Sequence, residues 1–138
     1  MINEQTIIVK LAELLEVIEN VKGVYQGIPP YNAVFPCITI RPLEFNEEWG
    51  DTRDTIENET FIITAYIQLD NTRLDSQSKL ITIVKEIREI LGNQENINLD
   101  NKIDSIRLNS GNYMFLTKES NLFACEIRYN VRKRFNRF

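Results

Sequence analysis

The sequence predicts an α+β fold: two amphipathic helices packed on one face of a mostly antiparallel mixed sheet, in the order α-β-β(-β)-α-β-β. Three observations lead there. Two segments, near 4–21 and 75–91, repeat apolar residues at three- and four-residue spacing, whereas others alternate apolar and polar residues. Both helical segments are polar on their outer sides, so each covers one sheet face and turns its back to water. At 138 residues, 43% hydrophobic and 26% charged, the chain has the length and composition of one globular domain spanning 1–138, enough to bury a substantial core.

Ile7, Leu11, Leu14, Leu15 and Ile18 form the stripe of the first helix, and Gly23 stops it beyond Val21 and Lys22. A proline-stiffened turn follows at Gly27-Ile28-Pro29-Pro30. Phe35 to Pro42 then reads as a short strand whose entry and exit are set by proline, a residue suited to a sheet edge. The acidic stretch 44–59 reads as a protruding loop or a long hairpin arm.

Residues 57–69 are the clearest strand, with Phe61, Ile63, Ala65, Ile67 and Leu69 on one face. The second helix covers Asp75 to Leu91. Its stripe is Leu80, Ile83, Val84, Ile87, Ile90 and Leu91, and Gly92-Asn93 ends it. After a polar loop at 93–101, Ile103, Ile106 and Leu108 begin a strand that the turn chemistry of Asn109-Ser110-Gly111-Asn112 interrupts. Tyr113 to Leu116 resumes it, and a second break falls at 118–121. Leu122 to Arg132 is the last strand, with Phe123, Cys125, Ile127, Tyr129 and Val131 facing inward. The expected core comprises Ile63, Ala65, Ile67, Ile83, Val84, Ile87, Cys125 and Ile127.

Charge is distributed unevenly. Residues 1–70 carry a net −8 and residues 71–138 a net +4. Between Glu44 and Glu59 seven acids stand against Arg53 alone, and five bases without an acid fill 128–138. Such blocks are either solvated faces or surfaces that meet partners, or each other across a subunit contact.

The chain contains no His, which removes Ser-His-Asp and Cys-His catalysis and histidine metal sites. Its five glycines are scattered, so no phosphate-cradling loop forms. Cys37 and Cys125 are read as small buried hydrophobes, neither bridged nor ligating. Arg53 interrupts any calcium-loop pattern around Gly50 to Asp54. The carboxylates near Glu47 and Asp54 read as exposed and ordinarily ionised. The expectation is no catalytic residue, no cofactor and no metal. Arg128 to Arg137 mixes bases with aromatics, but Phe123, Tyr129 and Val131 share the inward face and the pI is about 5.0, which opposes specific nucleic-acid recognition. No apolar run approaches the roughly 20 residues of a membrane span.

The succession of segments resembles the phage tail-terminator and minor tail-completion families of lambda-like long-tailed phages. The residues that carry the likeness are the leading amphipathic helix, Phe35-Pro36-Cys37-Ile38-Thr39-Ile40-Arg41-Pro42, and the acidic Glu44–Glu59 stretch feeding Thr60–Leu69 with its Ile63-Thr64-Ala65-Tyr66-Ile67 core. The Asp75–Leu91 helix and closing Leu122–Arg132 strand complete it. The resemblance implies a virion protein, passing through the host cytoplasm during assembly. It would form a ring, often a hexamer, on the head-proximal end of the tail tube, stopping polymerisation and presenting a surface to the head–tail connector. Its partners would be copies of itself, the tail tube protein and the connector. The families have no catalytic signature to carry over. Two rivals remain, a head–tail connector (neck) protein and a cytoplasmic α+β ligand-binding or regulatory module.

A ring needs one patch to meet a different patch on its neighbour. The acidic segment and the basic strand end are such a pair, which nominates Glu47, Glu48, Trp49, Asp51 and Asp54 on one side and Arg132, Lys133 and Arg134 on the other. Trp49 is the expected apolar anchor; the plain alternative is that it folds back over its own core edge.

Overall fold

Five strands form one sheet in the order β1-β2-β3-β5-β4. The computed structural model describes residues 4–49, 54–68, 73–93, 105–117 and 121–136. The elements run α1 (Glu4–Leu15), β1 (Gly23–Gln26), β2 (Cys37–Trp49), β3 (Asp54–Gln68), α2 (Arg73–Gly92), β4 (Ser105–Thr117) and β5 (Leu122–Asn136). β1 pairs parallel with β2 and all other neighbours are antiparallel, so the sheet is mixed as expected.

Period-two alternation decides the core. Phe61, Ile63, Ala65 and Ile67 of β3 stand beside Tyr129, Ile127, Cys125 and Phe123 of β5, and Ile38 and Ile40 of β2 join the same face. Both helices lay their stripes there: Ile7, Leu11 and Leu15 from α1, and Leu80, Ile83, Ile87 and Leu91 from α2, pack into one cluster with these strand residues. Every residue of the expected core is buried. The opposite sheet face is covered by no helix among the described residues. Thr39, Ile62, Thr64 and Ala124 are nevertheless buried there, shielded by long neighbours such as Arg41 and Arg128 that flank Ile62.

Several boundaries depart from the periodicity, each for a physical reason. α1 ends at Leu15, well before Gly23. Ile18 stays buried through tighter turns, Ile18 N–H donating to Leu15 and Val21 N–H to Ile18. Lys22 N–H then donates to the Pro36 carbonyl at 2.8 Å and draws the chain into β1, a strand too short to show alternation. Gly27, at φ 91°, turns the chain out again while its N–H donates to Ile40.

Pro42 does not end β2. The strand runs on to Trp49, and the register slips between Pro42 and Glu44, so Leu43 forms a bulge. β1 ends beside Ile40, so Pro42 lies where the strand has become an edge and its missing N–H costs little. The same logic corrects the break expected at 109–112. β4 passes through it as one strand with a bulge at Asn109, because β5 offers an unbroken pairing template along its whole length. The expected loop beyond Asn93, Ile103 and the break at 118–120 lie outside the described residues.

Cys37 and Cys125 are free and buried. Cys37 pairs with Tyr66 and Cys125 with Ala65, so β3 separates them and their side chains occupy opposite sheet faces. Burial pushes each thiol up to about 11. Neither should react with an aromatic disulfide reagent at about pH 8 in the folded chain, since thiolate is the reacting species. Both should titrate after denaturation, which absorbance at the released thiolate checks.

Candidate assembly surface

Beyond Ile40 the sheet narrows. β2 from Arg41 to Trp49 has no strand on its outer side among the described residues, and β4 is the other edge. Among the described residues β4 begins at Ser105 opposite Arg132, and Lys133 to Asn136 of β5 continue alongside β3. Over the described residues the remainder is a three-stranded extension in which Glu44–Trp49 pairs with Thr55–Thr60, and Asp54–Asn58 with Arg132–Asn136. The segment 44–59 is thus built, over its described residues, as an antiparallel strand pair, the second of the two forms open to the sequence.

An acidic strand pair is poor by itself. Glu47 faces Glu57 directly, and like charges in such a pair destabilise it. The third strand compensates: Lys133 lies opposite Glu57, with Nζ 3.4 Å from the Glu57 carboxylate and 2.6 Å from that of Glu59. All three groups are withdrawn from water, with side-chain exposures of 14% for Glu57, 2% for Glu59 and 8% for Lys133. Glu59 Oε2 is buried without a hydrogen-bond partner among the described residues.

The acid–base register follows from this crowding. Burial first, then hydrogen bonding with Glu57, pushes the Glu59 carboxyl up to about 7 against the pull of Lys133. Glu57 moves the other way, held below its ordinary value by hydrogen bonding with Glu59 and then by the Lys133 charge, against burial. Two carboxyls share one ammonium, and the more deeply buried carboxyl is the one that retains a proton.

The alternation also divides the basic run. Arg132 is exposed on the helix-free face, beside Asn58 and Ser105, whereas Lys133 is 7% exposed on the face where Val131 and Tyr129 point. Of the nominated residues, Glu47 and Glu48 are exposed on the free β2 edge. Trp49 occupies the last register position of its pair, opposite Thr55; Asp54 is opposite Asn136 and Arg134 opposite Ile56. Asp51 lies outside the described residues. The described ones among the nominated acids and bases therefore come to one end of the sheet, with Lys133 turned into the chain. The sequence carried a signal for that, because Lys133 is in phase with Cys125, Ile127, Tyr129 and Val131.

Two features escaped sequence reading. Leu43 and Phe45, 40% and 67% exposed, add apolar area to the free β2 edge. Arg107, on β4, is aligned with Asn130 and so joins Arg132 on the helix-free face. A groove of about 340 Å³ between the end of α2 and β4, lined among others by Arg88, Glu89, Ile106 and Tyr129, is flanked by charged groups and forms no deep apolar cavity.

No protein-family model matches the chain, and no curated protein does. Among solved structures, a chain of one described as "Virion of native gene transfer agent (GTA) particle" is similar to it, with a TM-score of 0.61 and 12% identity, over 91% of this chain and 84% of that one. At that identity the likeness establishes a shared fold.

The carboxyl pair makes stability depend on pH in two opposite senses. Between the ordinary Glu value of 4.5 and about 7, the folded chain holds a proton on Glu59 that the unfolded chain releases, so stability falls as pH rises through that window. Below it, Glu57 contributes stability that is lost as pH falls. Thermal unfolding followed between about pH 5 and pH 8 should show the decline, and Glu59→Gln should flatten it. Lys133→Ala, which strands two buried carboxyls, should cost about 3–5 kcal/mol at neutral pH by denaturant titration.

Proposed function

We propose that this chain is a non-enzymatic structural subunit of a phage-like virion. It forms a ring, hexameric in the fullest version of the reading, at the head-proximal end of the tail tube. There it ends tube polymerisation and offers the surface to which the head attaches. The observation that carries the reading is the likeness, over nearly the whole chain, to a chain of the gene transfer agent virion. The free acidic edge of β2 and the basic residues of β4 and β5 at the other edge supply the unlike patches that a closed ring requires.

In this reading the subunit contact uses Glu47, Glu48, Trp49, Asp51 and Asp54 from one copy and Arg132 and Arg134 from the next. Lys133 acts as the internal counter-ion that keeps the acidic strands in place. No metal or cofactor takes part, and the other partners are the tail tube protein and the connector. A neck subunit is the second reading, because the similar chain belongs to a whole particle and both roles call for a ring.

Negative-stain electron microscopy of the purified chain should give closed rings at high concentration. Added to polymerising tail tubes, the chain should limit tube length and sit at one end. Trp49→Ala should leave the thermal transition of the monomer within a few degrees of native yet weaken the rings, as loss of an aromatic anchor does. Rings that bind the connector but leave tube growth unaffected would favour the neck reading. A monomer at every concentration, with no effect on tubes, would exclude both.

A further inference from the structure

We propose that the helix-free face holds an oxyanion pocket built by β3, β4 and β5, and that the carboxylates of Glu44 and Glu48 from a second copy of this chain fill it. The inference rests on the ring reading and names the contact within it. The pocket, of about 230 Å³, is lined by Asn58, Ser105, Arg107, Asn130 and Arg132. The strand register sets these in two adjoining rows, Asn58–Arg132–Ser105 and Thr60–Asn130–Arg107.

Every lining side chain can donate: two guanidiniums, two amides and a hydroxyl. Thr60 Oγ1 donates to Asn130 Oδ1 at 2.9 Å, which occupies the amide's acceptor and leaves its Nδ2 hydrogens for a ligand. Asn58 is anchored from the β2 side, its Nδ2 donating to Asn46 Oδ1 at 3.2 Å and, in an exposed contact, to Glu48 Oε1 of the same chain at 3.5 Å. Among the described residues neither Arg107 nor Arg132 forms an ion pair, and Glu126, on the same strand face as Arg132, is engaged with Arg128 at 3.5 Å. With two guanidinium forks that no described acid engages, the site is shaped for carboxylate or phosphate oxygens.

The occupant follows from what else lies on this face. Glu44 and Glu48 alternate with Asn46 on the same helix-free side, along the strand that forms the free edge. A polyanion such as nucleic acid spread over the face would meet those carboxylates as well as the arginines, on a chain of net charge −4. A neighbour added laterally meets less of that conflict, because its carboxylates enter from the β4 edge, at Arg107 and Arg132, and the chain's own Glu48 lies at the Asn58 end of the pocket. When its β2 edge approaches β4, the sheet face continues across the junction, and its Glu44 and Glu48 arrive on the side where Arg107 and Arg132 stand. Acid is offered at one edge and received near the other, so the contact is head-to-tail and repeats around a ring. Leu43 and Phe45 on the same edge add apolar area to it.

Charge exchange tests the assignment. The variants are Arg107→Glu with Arg132→Glu, and Glu44→Lys with Glu48→Lys, each checked for a native thermal transition and then followed by sedimentation velocity. Each alone should weaken self-association by about tenfold or more, and an equimolar mixture should recover it to within roughly threefold, because each variant's pocket then matches the other's edge. Native rings that persist unchanged in both variants would overturn the pocket while leaving the ring reading intact. Weakening in both without recovery on mixing would also overturn it. A native chain that never self-associates would remove the ring reading and this contact together. Binding of a single-stranded oligonucleotide that is lost in the Arg107→Glu, Arg132→Glu variant, with self-association intact, would make the pocket a phosphate site and overturn the carboxylate assignment.

Discussion

The uninterrupted pairing of β3 with β5 is the constraint on which the other features rest. All fifteen residues of each strand are in register, from Asp54 opposite Asn136 to Gln68 opposite Leu122. At one end the pair supplies the apolar floor for both helices. At the other it holds a strand of acids beside a strand of bases. No slip is available, because a one-residue shift would turn Ile63, Ala65, Cys125 and Ile127 away from the helices and move Lys133 off Glu57 and Glu59. Hydrophobic and electrostatic registers agree, so each supports the other.

Charge in this chain has two fates, and strand alternation separates them. Glu57, Glu59 and Lys133 point to the helix side and neutralise one another away from water, a costly arrangement that leaves Glu59 Oε2 without a partner among the described residues. Their neighbours Glu44, Glu48, Arg107 and Arg132 lie on the helix-free side. The internal set holds the acidic strands together; the external set is what a second molecule encounters. Reading the two blocks as one complementary pair between subunits merges these sets, although residues next to each other in a strand face opposite ways.

The exposed edges have a related logic. An unpaired strand edge invites indiscriminate pairing, and charges along it restrict the partners it accepts. Glu44, Glu47 and Glu48 repel a second β2 edge, and in the proposed ring the arginines towards β4 receive it. The same residues thus oppose edge-to-edge association of like strands, which suits the head-to-tail contact proposed above. This is specificity obtained mainly from repulsion of the wrong arrangement.

Local periodicity determined the elements and faces of this protein. The spacing of Leu80, Ile83, Val84, Ile87 and Leu91 placed α2 to within two residues, and the alternation of Phe61 to Ile67 and of Phe123 to Val131 named the inward face of both central strands. The absence of His and the scatter of glycines likewise narrowed the chemistry before any fold was known. Tertiary structure alone decided what depends on partners far away in the chain. β1 exists because β2 offers it a parallel edge, β2 continues through Pro42 because β3 runs beside it, and the Asn109–Asn112 stretch stays in a strand because β5 templates it. The pocket of Asn58, Arg107 and Arg132 joins three strands separated by dozens of residues. Local propensity acts over a few neighbours, whereas pairing register and the meeting of distant charges are set only when the sheet closes its hydrogen bonds.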